Sequence, residues 1–255
     1  MAGPLEGVRV IDFGQYLAGP FGPMLLADLG ADVIKVEPTR GDGMRGAVIG
    51  SFMGCQRGKR DIALDLKQAE GRRIALELVA TADIVHHNMT LGTADRLGVG
   101  YGDCQAVKPD ILYCNTYMYG ATGPLAHLGG LDPLGQAACG IEWEQGPVET
   151  GNRPMWYRYG HGDVASAMPS VTALLIALYH RNRTGEGQSM WASIFHGSML
   201  YTADSWLGPD GMPPARPTLD AEQLGIDAST ASTRPRTAGC NWPPCARSNG
   251  RRCAG

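Results

Sequence analysis

The first forty residues constrain the fold most. Val8-Arg9-Val10-Ile11-Asp12-Phe13 is a β-branched, apolar run, Gly14 to Pro20 carries turn chemistry, and Phe21 to Leu29 places Met24, Leu25, Leu26 and Leu29 at helical spacing. Gly30 closes that helix, and a second apolar run, Ala31 to Glu37, stops at Pro38. Strands apolar on both faces, joined by one short helical crossover, must be neighbours in a parallel sheet covered by helices. The opening is therefore of the nucleotide-binding α/β kind.

The pattern continues. Ile62 to Leu66, Asp83 to His86 and Ile111 to Asn115 read as strands, Ala69 to Thr81 as a helix, and Ala94 to Leu97 as a helical turn. Gly120 to Gly162 is rich in Gly, Pro and aromatic residues, the composition of a long loop region that lines a site. Asp163 to His180 is the most apolar helix, ended by Arg181-Asn182-Arg183-Thr184-Gly185-Glu186-Gly187 with cations at its negative pole. Met190 to Trp206 fits a strand or a helix equally well. The expected class is α/β, a Rossmann-like parallel sheet with flanking helices.

With 44% hydrophobic and 18% charged residues the chain belongs with globular proteins, and a net charge of −3 gives no general attraction to nucleic acid or a membrane surface. An anionic ligand has to be met by local charge. No apolar run reaches membrane-span length and the N-terminus lacks the pattern of a secretion signal, so the expected location is cytoplasmic. Seven scattered cysteines without a C-x-x-C pair signal reduced thiols, and no metal site. Residues 226–255 stand apart: five Arg and one Asp, with Ile226 and Trp242 the only large apolar side chains. Such a segment has little to bury.

Candidate chemistry is unevenly distributed. The first loop, Gly14-Gln15-Tyr16-Leu17-Ala18-Gly19-Pro20, lacks the G-x-G-x-x-G dinucleotide fingerprint, and Glu37 reads as a strand-end residue rather than a ribose ligand. Arg40 and Arg45 lie in a glycine-rich stretch after the second strand; Arg57, Lys59 and Arg60 lie in another, and Arg96 follows a third strand. Loops at strand ends are where such sheets hold phosphorylated ligands, although any one of these cations also fits a solvated surface position. His86-His87 has no ligand-spaced partner and is assigned no role. His161-Gly162-Asp163 opens the long apolar helix. An acid there serves as an N-cap, or as a nucleophile toward an acyl carbon whose anion the helix amides stabilise, with the adjacent glycine leaving room for a thioester. Spacing alone does not choose.

Ordered blocks over roughly residues 4 to 208 resemble the class III coenzyme A transferases: Leu5 to Phe13, Leu17-Ala18-Gly19-Pro20, Leu25 to Pro38, Lys59 to Lys67, Asp95-Arg96-Leu97-Gly98, Gly123-Pro124 with Asp132-Pro133, and Arg183 to Gln188. The resemblance implies a Rossmann-like large domain over 1–208 that holds CoA at its strand ends, 209–225 leading toward a smaller domain whose pattern is missing, and an atypical tail over 226–255. A frameshift near Asp227 is the expected origin of that tail. It also implies that Asp163 attacks the thioester to form an aspartyl anhydride, and that Leu17, Ala18, Arg40, Lys59, Arg60 and Arg96 lie around CoA. The implied partners are acyl-CoA and a small carboxylic acid as substrates, with no permanently bound cofactor and, in the family, a homodimer. Racemases of the family use a histidine where Leu131 stands in Gly130-Leu131-Asp132, so transfer is favoured over racemisation. A CoA-binding remnant without turnover is the reading from a different class. The block His87-Asn88-Met89-Thr90-Leu91-Gly92 departs from the family by losing an arginine and a phenylalanine.

Overall fold

The computed structural model describes residues 3–148, 151–203 and 207–212. The tail and most of the segment before it lie outside the described residues. The chain forms two compact units, one of Met1–Gly135 with Arg158–Tyr201, the other of Gln136–Tyr157 with Thr202–Gly255.

The elements run β1 (Arg9–Asp12), α1 (Phe21–Asp28), β2 (Asp32–Glu37), α2 (Met44–Ala47), α3 (Ile49–Gln56), β3 (Lys59–Ala63), α4 (Ala69–Ala80), β4 (Ile84–His87), α5 (Thr93–Arg96), α6 (Tyr101–Val107), β5 (Leu112–Tyr117), α7 (Asp132–Ala138), α8 (Ile141–Gln145), α9 (His161–Thr184), β6 (Gln188–Ser193) and α10 (Ile194–Met199). The six strands form one parallel sheet in the order β3-β2-β1-β4-β5-β6. This is the doubly wound arrangement, and the strand order reverses between β1 and β4.

The continuous apolar strands are explained by two cores, one on each face. Ile11, Ile34, Val85 and Tyr113 point into a cluster completed by Ala75 and Val79 of α4 and Cys104 of α6. Their chain neighbours Val10, Val33, Ile84 and Leu112 point the other way, onto Leu26 of α1 and Val171, Leu174 and Leu178 of α9. Period-two alternation is hidden in the sequence because both faces are buried. Helix α9 is long and apolar enough by length and composition to cross a bilayer, yet one side of it is a wall of this core. Its last turn carries Arg181 and Arg183, and Gly185 closes it at φ +78°, where a side chain would be strained.

Three expectations need correction. The glycine-rich stretch after β2 is helical: Met44 of α2 buries, as do Phe52 and Cys55 one turn apart on α3, while Gly46, Gly50 and Gly54 face open space. The Gly120 to Gly162 region contains α7 and α8 rather than loop alone. Lys59 and Arg60 begin β3 instead of lying in a loop, so that strand starts three residues before the predicted one. The segment from Met190 is both strand and helix; Ser193 ends β6, and its hydroxyl accepts the His196 N–H at 3.0 Å to cap α10.

Candidate functional site

The carboxyl ends of β1 and β4 meet at the point where strand order reverses, and a buried polar network fixes the loop that follows β1. Asp12, at the end of β1, accepts from the Gly14 amide at 2.7 Å and from Lys59 Nζ at 2.7 Å. Lys35 Nζ donates to the Gly14 carbonyl at 2.6 Å and to Asp42 Oδ2 at 3.0 Å. Asp12, Lys35 and Asp42 are buried, as is the Lys59 side chain. Burial pushes the Asp12 carboxyl upward, but Lys59 and Lys35 outweigh it and hold the group below the usual carboxylate range. Across the reversal point, the Gln15 amide donates to Asn88 Oδ1 at 2.9 Å and Asn88 Nδ2 returns to the Gln15 carbonyl at 3.0 Å. Gly14 and Gly19 touch so closely that a Cβ on Gly19 would stand 2.5 Å from Gly14 Cα and from Asn88 Oδ1. Tyr16 turns the loop at φ +60°. The sequence that lacks the dinucleotide fingerprint therefore still builds a tight, glycine-closed turn at the ligand-binding edge.

Beside this turn a cleft of about 310 Å³ opens over the ends of β2 and β3. Phe13, Leu66, Met89 and Leu97 supply apolar walls, Arg40 and Lys67 supply positive charge, and Gln15 brings the β1 loop to its rim. Both cations are exposed, and Arg40 has no ion-pair partner among the described residues. Glu37, held by Arg45, and Asp65 also line the cleft, so it has apolar walls and charge of both signs, with Arg40 and Lys67 the groups able to meet phosphates.

The same loop reaches Asp163. Leu17 lies against Gly160, at 2.7 Å from where a Cβ would sit, and that position is 3.2 Å from Asp163 Oδ2. One end of the loop thus borders the cleft and the other borders the carboxyl. Asp163 is 9% exposed. Burial, and then the neighbouring Asp132 carboxylate, push it up to about 7. Asp163 is not the cap of α9. Gly160 occupies that position, and the amides of Gly162 and Asp163 both donate to Asp132 Oδ1, at 2.6 and 3.1 Å. Nor does Gly162 leave room for a ligand: a Cβ there would stand 2.2 Å from Ser198 Oγ and 3.0 Å from Ile194 Cγ2. Close packing of α10 explains the glycine.

The predicted residues separate clearly. Arg40 lines the cleft, Arg96 is exposed one residue from the cleft-lining Leu97, and Leu17 and Ala18 form the loop between cleft and Asp163. Lys59 is consumed by Asp12 and the Pro20 carbonyl at 2.8 Å. Arg60 makes a two-pronged contact with Asp32 at the amino end of β2, away from the strand ends that form the cleft. Arg45 pairs with Glu37 and stacks on Phe52, 4.4 Å from the ring centroid, and Arg57 pairs with Asp28. Glu37 is therefore tied to Arg45. Lys67 and Asp132 appear in the sequence only as parts of the family blocks, with no site role; Asp132-Pro133 is a helix-start signal that marks the latter.

His86 and His87 are buried in the interior. The Met89 amide donates to His87 Nδ1 at 3.2 Å, so His87 Nε2 carries the proton and donates to the Tyr113 hydroxyl at 2.7 Å, which donates to the Val99 carbonyl at 3.0 Å. Burial pushes His86 down to about 4 and His87 to about 3, keeping both neutral. No cluster of metal-ligating side chains occurs among the described residues.

The family profile described as CoA-transferase family III matches residues 5–227. The chain is 38% identical over 192 residues to succinyl-CoA:glutarate CoA-transferase of Mus musculus, covering 72% of this chain and 44% of that protein. It is 35% identical over 228 residues to acetyl-CoA:oxalate CoA-transferase of Acetobacter aceti, covering 84% and 57%. A CaiB/BaiF family protein from Brucella suis, known from its crystal structure, superposes with a TM-score of 0.76 at 34% identity, over 85% of this chain and 60% of that one. The chain spans about half the length of the curated relatives it matches. A parallel sheet with this reversal point, a glycine-closed β1 loop and the ordered sequence agreement converge on one conclusion: the chain belongs to CoA-transferase family III.

Proposed function

We propose that this chain binds an acyl-CoA thioester, with the adenosine end in the cleft over β2 and β3 and the thioester at Asp163, and moves CoA to a small carboxylic acid. The observation that carries the reading is the β1 loop, which borders the cleft at Gln15 and Asp163 at Leu17–Gly160. The relatives named above act between a CoA thioester and a dicarboxylic acid, and those names support the class of reaction.

In this reading an ionised Asp163 oxygen attacks the thioester carbonyl, the carbon–sulfur bond breaks, and the CoA thiolate leaves behind a mixed aspartyl anhydride. The thiolate then attacks the aspartyl carbonyl, expelling the donor carboxylate and leaving CoA on Asp163 as a thioester; the acceptor carboxylate displaces the thiolate to form a second anhydride, and the thiolate attacks its acyl carbonyl, releasing the new CoA thioester and the free Asp163 carboxylate. A carboxyl held near 7 is a stronger nucleophile once ionised than one at the usual value, and is about half ionised at neutral pH. Arg40, Lys67 and Arg96 supply the positive charge for the phosphates. Leu131, in place of a histidine, carries no proton for racemisation.

The test is transfer itself. Mixed with succinyl-CoA and glutarate or oxalate, the chain forms the new thioester, and the Asp163→Asn variant does not. A chain that binds CoA but yields no new thioester with a panel of mono- and dicarboxylic acids overturns the reading.

A further inference from the structure

Asp132 begins α7 in a segment far from α9 in the sequence, yet its carboxyl meets the first turn of α9. One oxygen, Oδ1, accepts both the Gly162 and Asp163 amides, at 2.6 and 3.1 Å. These are the amides that would otherwise be offered to an anion at the helix start. Asp132 is 5% exposed, and the glycine at 162 is what lets it approach: a Cβ there would stand 3.2 Å from the same oxygen. Packing behind Gly162 is completed by Ser198 and Ile194 of α10.

We infer that Asp132 is a positioning residue for Asp163: its carboxylate locks the first turn of α9 and sets a second negative charge beside the carboxyl that acts. This rests on Asp163 being the nucleophile of the proposed transfer. Two functions are combined in one side chain. As an acceptor, Asp132 fixes the direction in which Asp163 leaves the helix. As an anion, it opposes ionisation of Asp163, so that the nucleophile stays protonated further into the neutral range than burial alone would keep it. Among the described residues Asp163 has no ion-pair partner, and His161 on the same turn packs against the Tyr201 ring. The β1 loop offers Leu17, α10 offers Ser198 beside Gly162, and α3 offers the Cys55 thiol, itself pushed up first by burial and in part by Asp163.

Asparagine separates the two functions, because Asp132→Asn keeps an oxygen acceptor for the amides and removes the charge. The measurement is the carboxyl carbon-13 titration of Asp163, assigned by its disappearance in Asp163→Asn, with amide exchange at Gly162 and Asp163 read in parallel. Asp132→Asn should lower the Asp163 midpoint by about one pH unit or more with amide protection retained, and Asp132→Ala should lose the protection as well. An unchanged midpoint in a folded Asp132→Asn protein overturns the inference, whether or not the chain transfers CoA. A shifted midpoint in Asp132→Asn, in a parent chain that itself transfers no CoA, instead counts against Asp163 as nucleophile and leaves the coupling to Asp132 established.

Discussion

Replacing Asp163 with asparagine removes a charge that the folded chain holds at a cost, and the cost can be worked out. The Asp163 carboxyl ionises near 3.8 when unfolded and near 7 when folded, raised by burial and by Asp132. Below the lower value both states are protonated and the group contributes nothing. Between the two, the unfolded chain releases its proton and the folded chain does not, so stability falls as pH rises, and above the higher value the loss is complete. At about 1.4 kcal/mol per pH unit, that loss is on the order of 4 kcal/mol, of which about 3 kcal/mol falls between pH 5 and pH 8. Asparagine has nearly the same size and no charge. The Asp163→Asn variant should therefore gain on the parent by about 3 kcal/mol over that interval. For a chain of this length the gain appears as roughly 6–12 °C in midpoint temperature. Urea unfolding at four pH values measures it directly. Parallel stability curves for parent and variant from pH 5 to 8 would refute both the raised ionisation and the pairing with Asp132.

The remaining expectations follow from contacts around the site. Gly162→Ala places a Cβ 2.2 Å from Ser198 Oγ and should cost about 1–3 kcal/mol, part of which Ser198→Ala restores because that hydroxyl has no hydrogen-bond partner among the described residues; differential scanning calorimetry on the single and double variants reads it. Lys59→Met leaves Asp12 buried without its cation and should lose about 3–5 kcal/mol, whereas Arg60→Ala, which breaks an exposed pair, should lose about 1 kcal/mol or less; equal losses in urea unfolding would contradict these placements. Arg40→Ala and Lys67→Ala should each weaken binding of adenosine 3′,5′-bisphosphate about tenfold at low salt and less at high salt, by isothermal titration calorimetry. Arg60→Ala should leave that affinity unchanged, since it faces Asp32.

How far the sequence could be read depended on the range of the forces involved. The β1–α1–β2 unit and helix α4 were legible because apolar spacing and glycine or proline punctuation act within a dozen residues. The order β3-β2-β1-β4-β5-β6 was not, since pairing of β1 with β4 joins residues more than seventy positions apart, and no local pattern marks one strand as the other's neighbour. Helices α2 and α3 were hidden by Gly46, Gly50 and Gly54, which lower helix propensity while Met44, Phe52 and Cys55 anchor the packing. At the site, Asp163 was singled out by its place at the head of an apolar helix together with the family resemblance. Its capping partner was not, because nothing local links Asp132 to Gly162. Lys59 shows the converse: among glycines and arginines it resembles a ligand-facing cation, and only the fold sets the Asp12 carboxylate against it.

The central claim is that Asp163 takes the acyl group from a CoA thioester, and mass spectrometry tests it most directly. The chain is incubated with succinyl-CoA in the absence of an acceptor acid, quenched with hydroxylamine, and digested. The account predicts a hydroxamate on the peptide containing Asp163, formed only with the thioester and absent from Asp163→Asn. Folded protein that binds CoA yet carries no modification there, or carries it on another residue, would contradict the account.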